Sequence, residues 1–159
     1  GAEQARQMCA EAWEFDVPER AELVIATIAG GIEQQTWENV GRALDAAAHV
    51  VSEEGAIVVC CELDQPPQHS MKRLAAGETS HEVRRELGQD CFPDMLAADK
   101  LAQLSEDHSI YFRSKLDREM VESLGLAHVA SDDEIVRLSS RFSTCSLIGN
   151  AQFAMPKTD

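Results

Sequence analysis

The sequence is short of positive charge, of long apolar runs and of any cysteine or histidine spacing that suits a metal. Lysine and arginine total 14 against 28 aspartates and glutamates, a formal net charge of −14 over 159 residues. Phosphate backbones and anionic bilayers repel such a chain, so neither nucleic acid nor a membrane is expected as a partner. The longest weakly polar run, residues 23–32, contains two glycines and is about half the length needed to cross a bilayer. The cysteines (Cys9, Cys60, Cys61, Cys91, Cys145) are odd in number and include no C-x-x-C, which argues against a disulfide framework and against a zinc site. A reducing cytoplasm is the expected compartment. No basic-then-apolar signal segment opens the chain, and its start at Gly1 without Met is read as a tag scar on an excised fragment.

What is present is a chain with 44% hydrophobic residues, globular in composition and of a length expected to form one domain over residues 1–159. A chain of this size buries about two-thirds or more of its unfolded surface, so neither disulfide nor metal is needed to hold a core. Residues 1–17 are expected to form a connector helix, centred on the amphipathic stretch 3–13 with Met8, Ala12 and Phe15 on one side. The run A-E-L-V-I-A-T-I at 21–28 predicts a strand covered on both faces, ended by Gly30 and Gly31. Thr36 is an N-cap for a helix whose apolar positions run from Trp37 to Val51, with Gly55 expected just past its end. Residues 57–63 (I-V-V-C-C-E-L) predict a second buried strand, parallel to the first.

The middle, 64–107, reads as a helical insertion. Pro66 and Pro67 form a loop, 68–76 a short helix, Thr79 to Glu82 a capping box opening another, and 94–104 a further helix. Strand 109–113, helix 116–124 stopped by Gly125, a capping box at Ser131 to Glu134 opening helix 134–142, and a last strand at 145–154 complete the series. Strands alternating with helices predict an α/β, Rossmann-like fold with a mostly parallel sheet.

Ligands of open α/β sheets bind beyond the carboxyl ends of the strands, which directs attention to the loops at 29–35, 63–68 and 114–115. Gly30 and Gly31 would let backbone amides approach an anion at the start of the following helix. A plain tight turn is the competing reading, since neither G-x-G-x-x-G nor a P-loop lysine is present. Cys60 and Cys61 point to opposite faces of their strand and read as buried structural residues. His49, His69, His81, His108 and His128 are scattered and read as packing or surface residues. Lys72, Arg73, Arg84 and Arg85 make the middle segment locally basic, by default a solvated helix face and alternatively an anion site. No hydrolase triad or paired-carboxylate motif can be picked out.

Four phrases in order, A-E-L-V-I-A-T-I-A-G-G (21–31), T-W-E-N-V-G-R-A-L-D-A-A (36–47), V-S-E-E-G-A-I-V-V (51–59) and I-Y-F-R-S-K-L-D-R-E-M-V-E-S-L-G-L (110–126), resemble the C-terminal domain of the lactate racemase family. The resemblance implies the C-terminal half of a two-domain, nickel-pincer-dependent racemase or epimerase of 2-hydroxy acids. It implies that the nickel pincer nucleotide is held mainly by the protein's own N-terminal domain, so that no cofactor or metal and no activity are expected of this fragment alone. It further implies that Gly30 and Gly31 belong to the substrate loop, and that Asn39 and Arg42 stand where the family has a Gln and a Lys near the substrate carboxylate. Glu33 and Gln35 replace the family's Pro and Asp. These departures point away from lactate itself and leave a larger or more acidic 2-hydroxy acid, or a sugar acid, as the expected substrate. The alternatives are a member without the chemistry, serving as a small-molecule-binding or interaction module, and an unrelated nucleotide-binding domain, which the absent glycine fingerprint disfavours.

Overall fold

The computed structural model describes residues 1–79, 81, 82, 85 and 92–158, the side chain of 158 excepted. In chain order it contains α1 (Ala2–Trp13), β1 (Glu14–Val17), β2 (Ala21–Thr27), α2 (Trp37–Ala48), β3 (Val51–Cys60), α3 (His69–Ala75), α4 (Met95–Leu104), β4 (Ile110–Arg113), α5 (Arg118–Ser123), β5 (Ala127–His128), α6 (Asp132–Ser139), β6 (Cys145–Ile148) and β7 (Met155–Thr158). Five strands form one parallel sheet in the order β5-β4-β3-β2-β6, and β1 pairs with β7 as a separate parallel ribbon. The fold is α/β and Rossmann-like, as the alternation of strands and helices predicts.

Topology follows from the apolar runs. Leu23, Val24, Ala26 and the stretch Ala56, Ile57, Val58, Val59 are all buried, so β2 and β3 can be satisfied only inside a sheet with cover on both faces. They lie side by side and parallel, joined through α2, with β6 and β4 on their outer sides. Thr36 caps α2 as expected, its Oγ1 accepting from the Asn39 N–H at 3.1 Å. Val40 and Leu44 point into the core, each adding about 1.5–3 kcal/mol on burial.

Passing from β2 to β3, β4 and β5, the chain steps steadily outward, and α2, α4 and α5 all feed one large core cluster. It then returns past β2 to place β6 on the opposite side, and the connecting α6 packs on the other face through Leu138, against Leu23, Ala56 and Val58. The strand order therefore reverses between β2 and β6.

Several expectations are corrected. Gly55 does not end α2: the helix stops at His49 in right-handed conformation, and β3 already begins at Val51. Gly55 lies inside β3, where pairing jumps from Ala21↔Val51 to Leu23↔Ala56 and Glu54 takes φ 60°. A Cβ at Gly55 would stand 2.8 Å from the Glu22 carbonyl oxygen, so the glycine serves a bulge and a close backbone approach. The expected last strand at 145–154 stops at Ile148, because Asn150 turns the chain at φ 49° and Ala151 N–H donates to the Thr27 carbonyl. The connector is helical only to Trp13; residues 14–17 are drawn into the ribbon with β7. Helix α5 starts at Arg118, with Asp117 as its cap, and α6 spans Asp132–Ser139 rather than 134–142. In the insertion, α3 and α4 form as expected, and Thr79 and Glu82 make the reciprocal capping bonds. The rest of the helix expected after that box, with Arg84 and Cys91, lies outside the described residues.

Candidate functional site

The reversal of strand order between β2 and β6 leaves a crevice beyond their carboxyl ends, the usual ligand position in an open α/β sheet. The loop at 28–36 leaves the carboxyl end of β2 beside this reversal. Gly30 adopts φ +105°, and a Cβ there would stand 2.7 Å from Gln34 Cγ, so both backbone and packing demand glycine. Gly31 has an ordinary φ of −74°; the nearest atoms to a built Cβ belong to the Glu33 carboxylate, its oxygens at 2.6 and 2.9 Å. The two glycines are thus unequal. One fixes the turn, and the other leaves room for a carboxylate that folds back over the loop.

Amide side chains tie this loop to its surroundings. Gln35, buried, donates through Nε2 to the carbonyls of Ile28 at 3.3 Å and Gly30 at 3.4 Å, and its Oε1 accepts from Glu62 N–H at 2.8 Å. It therefore couples the loop after β2 to the chain leaving β3. Asn39, also buried, donates through Nδ2 to the Gln34 carbonyl at 2.8 Å and to Gln34 Oε1 at 3.2 Å. Its Oδ1 accepts from Arg42 Nη1 at 2.9 Å, while Arg42 Nη2 reaches Glu38 Oε1 at 2.8 Å. From the turn after β6, Gln152 donates to the Ala29 carbonyl at 2.9 Å, and its own Oε1 is buried with no hydrogen-bond partner among the described residues.

Of the four sequence-predicted residues, Gly31, Asn39 and Arg42 are joined in one hydrogen-bonded chain through Gln34, whose N–H donates to the Gly31 carbonyl at 2.9 Å, while Gly30 is held instead by Gln35. Arg42 is half exposed and its charge is met by Glu38, so together with Glu33 the loop carries more negative than positive charge. An incoming carboxylate would have to replace Glu38 on Arg42.

Beside this loop, Thr36, Trp37, Glu38, Gln65, His69 and Asp94 line part of a cavity of about 230 Å³. Trp37 Nε1 donates to the Gln65 carbonyl at 3.1 Å, and its ring stacks on Phe112 with centroids 5.9 Å apart. His69 stacks on Phe92 at 4.3 Å in a left-handed backbone conformation, φ 42°. Asp94 is buried, and its carboxylate accepts from the Ser70 and Met71 N–H groups at 3.3 and 3.0 Å. Sequence reading had missed Gln34, Gln152 and this cavity. The only signal for the first was the pair Gln34-Gln35 a short step after two glycines.

Cys60 and Cys61 behave as structural thiols. Burial pushes Cys60 up to about 11 and Cys61 up to about 12 from the ordinary 9, which leaves little nucleophilic thiolate near neutral pH. They face opposite sides of the sheet, Cys61 in the larger core and Cys60 against the smaller. Among the described residues no group of three or more His, Cys, Asp or Glu could hold a metal ion. No helix among these residues is long and apolar enough to cross a membrane.

Compared by sequence, the chain matches no family model and no curated protein. Compared by structure, it superposes on the lactate racemase apoprotein of Thermoanaerobacterium thermosaccharolyticum with a TM-score of 0.79 at 13% identity, over 97% of this chain and 39% of that one. The likeness is one of fold. A protein of Thermotoga maritima gives a TM-score of 0.64 at 10% identity, over 99% of this chain and 41% of the other. The chain thus spans about two-fifths of the length of either structure.

Proposed function

We propose that this chain is the C-terminal α/β domain of a racemase or epimerase acting on a 2-hydroxy acid, with its glycine loop, Asn39 and Arg42 facing the substrate. The observation that carries the reading is the junction of Gly31, Gln34, Asn39 and Arg42 in one network at the strand-order reversal of a lactate-racemase-like fold. The substrate carboxylate takes the place of Glu38 on the Arg42 guanidinium, a planar fork suited to two parallel hydrogen bonds. Asn39 holds that fork in position from a buried site, and Gln34 holds Asn39. The nickel pincer nucleotide, which in this reading supplies the hydride chemistry, is bound by the N-terminal domain outside this chain. In the full-length protein, racemisation of a panel of 2-hydroxy acids should be lost or weakened by Arg42→Ala with the melting temperature unchanged. A full-length protein that racemises none of them would reject the enzyme reading.

One observation favours a second reading. Glu33 folded over Gly31 and Glu38 seated on Arg42 leave the loop already filled by the chain's own carboxylates. That arrangement suits a family member without turnover that binds a small molecule or a partner. Saturable binding of a hydroxy acid to the full-length protein without interconversion of its enantiomers would support this second reading.

A further inference from the structure

On the face of the sheet opposite α2, Tyr111, His128, Glu134, Arg137 and Arg141 line a pocket of about 300 Å³, closed beneath by Val129 and Leu138. We propose that this pocket binds a small oxyanion bearing a carboxylate or phosphate group, held between Arg137 and Arg141.

Acidic residues outnumber basic ones two to one, 28 against 14, so a surface cation normally finds a carboxylate. Arg42, Lys100, Arg113, Arg118 and Lys157 each do so, on Glu38, Asp45, Asp132, Glu122 and Glu14. Among the described residues no such pair forms at Arg137 or Arg141, although Glu134 lines the same pocket. The Glu134 carboxylate is held elsewhere: its Oε2 accepts from the Ala130 N–H at 2.9 Å, closing the α6 capping box with Ser131. The two arginines are four residues apart, Arg137 in the last turn of α6 and Arg141 just past its Ser140 cap, which sets them on the same side of the helix.

A second observation comes from the opposite wall. His128 ends the edge strand β5, and its Nδ1 is buried with no hydrogen-bond partner among the described residues. Buried polar atoms are ordinarily paired. A bound oxyanion would bring a strong acceptor to this wall, and the guanidiniums of the two exposed arginines offer it forked donors from the pocket lining. The pocket is separate from the glycine loop: it lies on the face covered by α6, and none of its lining residues belongs to the network around Asn39. It stands or falls independently of the hydroxy-acid reading.

The test is titration of the full chain with inorganic phosphate and, separately, with succinate, followed by the imidazole resonances of His128 and by calorimetry. Saturable binding of either probe, with His128 shifting, is expected. Arg137→Ala/Arg141→Ala should weaken it tenfold or more, Arg137→Lys/Arg141→Lys should restore part of it, and Arg118→Ala, on the other face, should leave it unchanged. Preference for phosphate over succinate, or the reverse, identifies the ligand class. Absence of saturation, binding equal in the double alanine variant, or binding abolished by Arg118→Ala would overturn the proposal.

Discussion

The two faces of the sheet are built differently. One carries α2, α4 and α5 over a continuous core that includes Leu44, Ile57, Leu101 and Phe112; the other carries α6 over little more than Leu23, Ala56, Val58 and Leu138. Ile25, Cys60 and Tyr111 on the thin side remain partly exposed, and Val136 and Leu147 are 67% and 70% exposed. The difference follows from connectivity. Successive crossovers in one direction stack their helices on one face, and only the final return to β6 covers the other. Stability is thereby concentrated on the first face. The second retains open, charged space beside α6, and the glycine loop lies at the seam where the two windings meet.

Truncations on the two faces should separate most widely. Phe112→Ala, which removes a fully buried ring stacked on Trp37, is expected to cost about 3–5 kcal/mol in chemical denaturation. Leu138→Ala should fall at the low end of the roughly 2–5 kcal/mol range for leucine, because the solvent-facing side of its cluster can collapse. Equal losses at the two positions would break the contrast.

At the seam, the unequal glycines give the next effect. Gly30→Ala forces a side chain into a left-handed conformation and against Gln34, and should cost about 1–3 kcal/mol. Gly31→Ala displaces only the movable Glu33 carboxylate and should stay within about 0.5 kcal/mol. A reversed order, read from the same denaturation curves, would show that the turn is held by something other than Gly30.

A smaller effect is set by the paired thiols, one on each face. Their folded-state values lie above the ordinary 9, so between these values the native chain binds more protons than the unfolded one. The contribution is fully present below pH 9 and is lost as pH rises from 9 through about 11 and 12. Stability measured at pH 7, 9 and 10 should therefore be level to pH 9 and decline beyond it. Cys60→Ala/Cys61→Ala should flatten the decline, and an unchanged slope in that variant would place its cause elsewhere.

The apolar runs of β2 and β3 and the caps at Thr36 and Ser131 were legible in the sequence because each depends on residues close in the chain. The ribbon of β1 with β7 was not. Four-residue strands with mixed polarity acquire their identity only from a partner about 140 residues away. Gly55 was misread because a glycine shortly after a helix resembles a terminator until strand pairing shows a bulge. Gly30, Asn39 and Arg42 could be placed near one another by loop position and helical spacing. The linkage of Asn39 and Arg42 to Gln34, the coupling through Gln35 to Glu62 and the approach of Gln152 are long-side-chain contacts that no spacing rule encodes.

The central claim is that Arg42 serves a substrate carboxylate at this seam. Its most direct test is the steady-state kinetics of Arg42→Ala in the full-length protein, measured beside its melting temperature. The account predicts a loss in kcat/KM on the order of one charged hydrogen bond, about 1.5–3 kcal/mol or roughly 10- to 150-fold, with thermal stability unchanged. Unchanged kinetics together with a lowered melting temperature would assign Arg42, through its contacts with Glu38 and Asn39, to the fold alone.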